Sequence, residues 1–290
     1  MRLRLTVLEQ SFELACDPVR APRTLARLAG HLPLPLQLHT PKIAGSHIYW
    51  DAPFVEDAEG GVDVLTAQPG AFIYWPVRQF LEITFAPLQA ETASVTVLGR
   101  LDGPVERVAE LARRLREQQG VMPFDGRLAL VDAGAVTPQP PMDDPSLPAA
   151  LLAARDRLWA GCPEDIKGLR ASRALMHPAG PTFLAESEAR VLHEVCWCLR
   201  TRLASDAPDH LRYAGALAAG RAATRLRDFC HLQETPAILL GLEAAFLDER
   251  VALAPLVELG IVIAGRIAAW CDLQIPWNPV NEAFRAAIDA

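Results

Sequence analysis

The segment PGAFIYWPVRQFLEITF, residues 69–85, specifies the fold of the first half of the chain. Its two runs of aromatic and β-branched residues, 71–74 and 79–85, are separated by a turn and predict two paired β-strands. Pro69-Gly70, before the first run, is a turn signal. Because side chains alternate between the two faces of a strand, Glu82 points away from its apolar neighbours along the chain. The segment therefore predicts a hairpin that carries one carboxyl group within an apolar strand.

Short alternating runs on both sides of this hairpin extend the pattern. Turn signals such as Gly45 and Gly60-Gly61 separate them. Two helices are predicted among the strands, a short one with a buried stripe around Leu25 and Leu28 and a second over 105–118. The further predicted strands are 3–7, 12–14, 34–39, 46–50, 62–65, 94–98 and 127–131. So many short strands with two helices, in about 130 residues, predict a closed barrel.

The pattern changes after a proline-rich segment, TPQPPMDDPSLP, which predicts a semi-rigid linker. Beyond it the apolar period becomes 3.6 residues, which is typical of helices. Predicted helices are 149–160, 163–175, 186–205, 211–219, 222–230, 237–246, 253–271 and 278–287. We therefore expect an α+β protein of two domains, with a β-barrel over 1–135, a linker over 136–148 and an all-helical bundle over 149–290.

Composition limits the kinds of partner. The 290 residues carry 28 basic and 35 acidic side chains, and no clustered basic run suggests contact with nucleic acid. The first 14 residues alternate and contain no apolar core of a signal peptide. The most apolar stretch, 253–270, is interrupted by Pro255, Glu258 and Arg266, so we expect a buried helix rather than a membrane span. These features predict a cytoplasmic protein with no nucleic-acid or membrane partner.

The sequence contains no recognisable motif for binding a metal ion or a nucleotide. The chain has six cysteines, but Cys196 and Cys198 point to different faces of a predicted helix and no second pair completes four zinc ligands. Unpaired cysteines on apolar helices are usually small core residues. Gly60-Gly61 lies between strands, and no Gly-x-Gly-x-x-Gly turn follows a strand. We expect no metal and no cofactor.

Three segments resemble the cyclophilin-like barrels of bacterial proteins: DPVRAPRT (17–24), GSHIYWDAP (45–53) and the hairpin segment, residues 69–85. The closing run VTVLGRL (95–101) is similar to the strand that seals such barrels. A barrel of this kind followed by a helical bundle, at this total length, resembles the cucumopine synthase family. That resemblance implies an opine synthase-like enzyme, which condenses L-histidine with 2-oxoglutarate in a cofactor-independent Pictet–Spengler-type cyclisation.

Such a reaction needs groups that give and take protons. Glu82 is our first candidate for a catalytic residue, because apolar surroundings raise the pKa of a carboxyl group toward neutrality. The alternative is an outward-facing strand residue. His47 is the second candidate, with a hydrogen-bonded structural histidine as its alternative. Asp51, at the end of the same predicted strand, is the third, although its position beside Ala52-Pro53 favours a turn-forming carboxylate.

Substrates of this class carry several carboxylates and a planar ring, so cations and aromatic walls are expected around the site. Arg78 follows the first strand of the hairpin and is placed to bind a carboxylate, unless it is a solvated loop residue. Tyr49 shares a strand face with His47, and His177 lies in a loop of the helical half. The substrate-binding candidates are Arg78, Tyr49, Trp50, Tyr74, Trp75 and His177. Core packing is the alternative for each aromatic residue.

Two other functions fit the same sequence. One is that of another cofactor-free lyase or isomerase of small carboxylates. The other is that of a non-catalytic binding module, whose barrel captures a small ligand and whose bundle makes homodimer contacts. Prolyl isomerisation would rest on the fold alone.

Overall fold

The computed structural model of the protein describes residues 1–42, 45–89, 92–169 and 179–289. The chain divides into two compact units. The first comprises Met1–Pro141 together with Pro276–Ala290, and the second comprises Met142–Ile275. The boundary near residue 141 falls inside the proline-rich segment. The last helix, by contrast, groups with the first unit, whereas the sequence placed it in the bundle.

The first unit is built on an antiparallel sheet. Its strands are β1 (Arg2–Val7), β2 (Gln10–Cys16), β3 (Leu34–Gln37), β4 (His47–Asp51), β5 (Val62–Asp63), β6 (Ala71–Trp75), β7 (Phe80–Thr84), β8 (Ser94–Asp102) and β9 (Asp125–Asp132). The hydrogen-bonded order is β3-β9-β1-β2-β8-β6-β7-β4, and β5 pairs with β8. Beyond β3, His39 and Tyr49 exchange backbone hydrogen bonds of 2.8 and 3.1 Å. This bridge joins the two ends of the sheet, which is therefore a nearly closed barrel.

The helices of the described residues are α1 (Pro22–Gly30), α2 (Glu106–Glu117), α3 (Ala149–Ala160), α4 (Glu164–Gly168), α5 (Ala179–Arg202), α6 (Pro208–Cys230), α7 (Glu234–Leu247), α8 (Leu253–Leu273) and α9 (Trp277–Ile288). In the first unit, α1 begins with Pro22, whose missing N–H needs no partner in the first turn. The Glu59 carboxylate accepts the next two backbone N–H groups, from Arg23 and Thr24. Both α1 and α2 bury one apolar stripe, as their sequences predict.

The second unit is a helical bundle with α8 at its centre. Every residue from Leu259 to Asp272 is buried, and α8 packs mainly against α5. Among the described residues, α8 is the one helix long and apolar enough to cross a membrane, with a mean hydropathy of 1.6. Its most apolar window is 78% buried inside the protein. That burial is typical of the core helix of a bundle, as the sequence predicted for this stretch.

One helix break predicted from the sequence is wrong. Residues 211–219 and 222–230 belong to a single helix, α6, which continues through Gly220. A Cβ atom at Gly220 would lie 2.5 Å from a carboxylate oxygen of Glu243, on the neighbouring helix α7. The nearest atoms are the end of a flexible side chain, so the helix continues through Gly220 at a cost in helix propensity of about 1 kcal/mol.

Candidate active site

Strands β4, β7 and β6 lie side by side and place the candidate residues by their register. Tyr49 is directly opposite Glu82, and Glu82 is directly opposite Ile73. Residues opposite each other share a face of the sheet, and alternate residues along each strand share it too. We call this the Glu82 face; its members are His47, Tyr49, Asp51, Phe80, Glu82, Thr84, Ile73 and Trp75. The other side is the Trp50 face; its members are Ile48, Trp50, Phe72, Tyr74, Leu81 and Ile83.

Glu82 is the most unusual titratable residue of this face. Its side chain is completely buried. Neither carboxyl oxygen accepts a hydrogen bond from any residue that the structure describes. Burial removes the water that stabilises a carboxylate and raises the pKa of Glu82 from 4.5 to about 8. At neutral pH this carboxyl group is mostly protonated, and a modest change in its surroundings is enough to ionise it.

His47 is the nearest titratable partner of Glu82. Its Nε2 atom lies 3.3 Å from Oε2 of Glu82, close but without hydrogen-bond geometry. Burial, and then the nearby positive charge of Lys42, lower the pKa of His47 from 6.5 to about 4. An ion pair would shift the two pKa values in the opposite directions. The contact therefore joins a neutral imidazole to a neutral carboxyl group, because loss of solvation outweighs their mutual attraction.

Tyr49 brings a third polar group to the Glu82 face. Lys42 donates a hydrogen bond of 2.9 Å to the Tyr49 hydroxyl oxygen, and its ammonium group lies 5.3 Å from the centre of the Tyr49 ring. The ring stacks on Phe80 at 4.2 Å and on His39 at 5.1 Å. Stacking on these two rings restrains the phenol, and its hydroxyl group is held next to a cation.

Two further candidates lie at one end of the Glu82 face, near the hairpin turn after β6. Asp51 is buried and is the last residue of β4, opposite Phe80. Arg78 is half-buried in the turn between β6 and β7. Gln79 ties this turn to the end of β4, because its side chain and backbone both bond to Ala52. The structure thus brings Asp51 and Arg78 to the same end of the hairpin.

The aromatic candidates separate into two groups. Trp75 lies on the Glu82 face, in a buried cluster that includes Ile73. Trp50 and Tyr74 lie on the Trp50 face, where Trp50 stacks on Phe72 and the Tyr74 hydroxyl accepts the backbone N–H of Glu56. The expectation that Trp50 and Tyr74 wall the same site as Glu82 is therefore wrong, because alternation directs them to the opposite side. His177 lies outside the described residues.

Sequence reasoning did not assign Lys42 or His39 to the site. The chain contains two lysines, Lys42 and Lys167, and this scarcity was the available signal for Lys42. Nothing in the local sequence indicated its bond to Tyr49. His39 reaches Tyr49 through the bridge that closes the barrel, a pairing between segments that no local pattern specifies.

A well-formed cavity of the first unit lies away from these residues. It is a cleft of about 650 Å³, and none of the candidate residues named so far lines it. Among the described residues, no group of three histidine, cysteine, aspartate or glutamate side chains is arranged to hold a metal ion. The titratable residues of the Glu82 face therefore lie outside this cleft.

The chain is similar in fold to a solved structure of McbB in complex with tryptophan. The TM-score is 0.70 at 17% sequence identity, over 97% of this chain and 99% of that chain. The likeness to the solution structure of the hypothetical protein AF2241 from Archaeoglobus fulgidus is weak, with a TM-score of 0.34 at 20% identity, over 44% of this chain and 93% of that one. No family model and no curated protein matches the sequence. The α+β fold class, a barrel with a helical bundle, is confirmed.

Proposed function

We propose that this protein catalyses a Pictet–Spengler-type condensation of an amino acid of the histidine type with a 2-oxo acid of the 2-oxoglutarate type, without a cofactor. The observation that carries the proposal is Glu82, a fully buried carboxyl group whose pKa of about 8 suits proton transfer in both directions. An ordinary core would gain from replacing this group by an apolar one, since its oxygens find no hydrogen-bond donor among the described residues. An unpaired carboxyl group at this position is therefore better explained by a functional role than by packing.

The reaction needs an acid and then a base. The substrate amine adds to the ketone to form a carbinolamine, and loss of water gives an iminium ion. An aromatic ring carbon attacks the iminium carbon, and that ring carbon then loses its proton. Protonated Glu82 gives its proton to the departing hydroxyl group, which leaves as water. The resulting carboxylate accepts the ring proton and returns to its starting state, so one residue serves both steps.

The neighbours of Glu82 have supporting roles in this proposal. Neutral His47, with its Nε2 atom 3.3 Å from Oε2 of Glu82, is the titratable neighbour close enough to relay a proton to or from the carboxyl group. The Tyr49 hydroxyl, held by Lys42, is placed to contact the carbonyl oxygen of the oxo acid. Arg78 and Lys42 are the cations placed to bind substrate carboxylates, and Trp75 supplies an apolar wall. Because Glu82 is fully buried, side chains around it have to move when substrate binds.

The similarity to McbB supports the class of amine. The McbB structure is a complex with tryptophan, an amino acid with an aromatic heterocycle. Histidine and tryptophan share an amine and a nucleophilic ring carbon at a similar separation. The resemblance to the cucumopine synthase family favours histidine, with its imidazole ring, as the substrate. The experiment below compares it with tryptophan.

The test combines purified full-length protein with 2-oxoglutarate and either L-histidine or L-tryptophan, without nucleotide. We expect a product whose mass equals the sum of the substrates minus one water. Because an uncyclised imine has the same mass, the amino acid is supplied with a deuterated ring, and cyclisation removes one deuteron. Borohydride provides a second criterion, since it adds two hydrogens to an imine and none to the cyclised product.

Two variants decide the role of the site. Glu82→Gln keeps the size of the side chain and removes its acid–base function, so cyclisation is lost. Glu106→Gln changes an exposed glutamate on α2 and leaves the rate unchanged. If neither amino acid is cyclised with 2-oxoglutarate or with pyruvate, the proposed reaction is wrong. If cyclisation occurs and survives in Glu82→Gln, the reaction stands and the assignment of Glu82 fails.

A further inference from the structure

The cleft of about 650 Å³ in the first unit has a size typical of small-molecule sites, which span roughly 300–1,000 Å³. It opens between the turn that follows β2, the strand β8 and the loop before β6. Its polar and charged lining comprises Cys16, Asp17, Arg20, Thr66, Gln68 and Arg100. None of these side chains takes part in the proposed reaction.

The register of the sheet explains why a depression forms here. Arg100 on β8 lies directly between Ala15 on β2 and Ala71 on β6. Both neighbours line the cleft, and each has a side chain of one carbon atom. The long side chain of Arg100 therefore rises from a surface whose adjacent positions are nearly empty. This arrangement leaves room for a ligand beside the guanidinium group.

A second arginine reaches the cleft from a different element. Arg20 lies in the turn before α1, where one carboxylate oxygen of Asp17 accepts the backbone N–H groups of Val19 and Arg20. These two hydrogen bonds to Asp17 stabilise the turn. Neither Arg20 nor Arg100 forms an ion pair or side-chain hydrogen bond with any residue that the structure describes. By contrast, Arg4 of the same unit forms an ion pair with Glu13.

The remaining lining groups add polarity without adding charge. Burial raises the pKa of the Cys16 thiol to about 12, so this side chain is neutral. Gln68 bonds to the backbone oxygen of Thr66, which keeps the far wall of the cleft in place. The cleft is therefore lined by two arginines from separate elements, together with neutral polar side chains and Asp17.

We propose that this cleft is a second binding site, distinct from the Glu82 site, for a small organic anion with two carboxylate groups. Each guanidinium group binds one carboxylate, and guanidinium–carboxylate contacts are strong and geometrically specific. Two arginines from separate elements favour a ligand whose charges are separated over one with a single charged end. The proposal does not depend on the proposed function, since it uses none of the same residues.

Succinate is the probe for this site, and its binding is measured by isothermal titration at moderate salt. We expect acetate and the neutral diamide succinamide to bind at least about tenfold more weakly, because each lacks at least one charge-assisted contact. Arg20→Ala and Arg100→Ala should each weaken succinate binding about tenfold or more. Ala15→Leu fills the space beside Arg100 without changing any charge and should have a similar effect.

Two control variants distinguish binding in this cleft from a general charge effect and from binding at the Glu82 site. Arg116→Ala removes an exposed cation from α2, and Arg78→Ala removes the cation assigned to the Glu82 site; both should keep the affinity for succinate. If Arg116→Ala weakens binding as much as Arg100→Ala, the interaction is a general charge effect and the proposal fails. If Arg78→Ala alone weakens it, succinate binds at the Glu82 site. Equal binding of acetate and succinate, tighter binding of inorganic phosphate, or no binding of succinate at about 10 mM also overturns it.

Discussion

The two faces of the strands β4, β7 and β6 are both largely buried but differ in chemistry. On the Trp50 face, Trp50, Phe72 and Tyr74 are essentially inaccessible to solvent, and the one polar atom buried there without a hydrogen-bond partner among the described residues, the indole nitrogen of Trp50, does not titrate. On the Glu82 face, equally complete burial encloses a carboxyl group beside an imidazole. Apolar burial stabilises a fold, whereas burial of an ionisable group costs free energy. Burial alone therefore does not distinguish a core from a site, whereas the titratable groups do.

The largest expected effect is on activity, and it comes from the Glu82 face. In the proposed reaction, Glu82→Gln should lower kcat by about 10²–10⁴-fold, the usual contribution of a general acid–base group. The fold should be preserved, because an amide of the same size replaces a neutral carboxyl group. Steady-state kinetics and circular dichroism measure the two quantities. If kcat of Glu82→Gln stays within threefold of wild type, Glu82 is not the acid–base group and the Glu82 face has no catalytic role that sets it apart from the Trp50 face.

The Trp50 face should respond in the opposite way. Trp50→Ala leaves a large cavity in packed surroundings and should lower the free energy of unfolding by about 3–5 kcal/mol. Urea denaturation measures this change. At a temperature where the variant remains folded, its kcat should stay near that of wild type. Val19→Ala, at a fully solvated position, is the control and should change stability by less than about 0.5 kcal/mol. If Trp50→Ala loses kcat without losing stability, Trp50 contributes to the active site rather than to packing alone.

Sequence patterns predicted much of this arrangement. The hairpin over 69–85 and the strand that carries His47 were predicted, and a period of two already put Trp50 on the side away from His47. Alternation within one strand does not show which strands are neighbours. The sequence-based grouping of Trp50 and Tyr74 with Glu82 rested on their position near strand ends, without knowledge of which face of the assembled sheet each residue occupies. The contact of Lys42 with Tyr49 and the two alanines beside Arg100 depend on long-range pairing in the same way. Such pairings are set by the whole fold and not by local propensity.

The pH dependence of stability separates the two faces further. Between pH 6.5 and 8 unfolded Glu82 is ionised, whereas the folded carboxyl group, with its pKa near 8, retains its proton. Unfolding then releases a proton, so stability falls as pH rises, by roughly 2 kcal/mol over this window. His47, whose pKa is lowered to about 4, adds no slope above pH 6.5; its own effect is a loss of stability as pH falls from 6.5 to 4.

Denaturation curves at several pH values test this expectation. Wild type should lose stability between pH 6.5 and 8, and Glu82→Gln should lose much less. Trp50→Phe, on the other face, should keep the slope of wild type while being less stable at every pH. A wild-type slope that persists in Glu82→Gln would mean that another group causes it, and that the carboxyl group is better solvated than its burial indicates.

The smallest predicted effect tests whether Lys42 belongs to the Glu82 face. Lys42→Met keeps the length of the side chain and removes the charge that is held against the Tyr49 hydroxyl. The positive charge of Lys42 also contributes to the low pKa of His47, so its removal should raise that pKa, as followed by the NMR signals of the imidazole ring. We expect kcat/KM to fall about tenfold, the value of one charge-assisted hydrogen bond.

The matched control is Lys167→Met. Lys167 is the other lysine of the chain and pairs with Glu164 at exposed positions of α4. Since Lys167 belongs to the second unit and not to the strands of the first, a similar loss in both variants would show that net charge, and not the Lys42–Tyr49 contact, controls the rate.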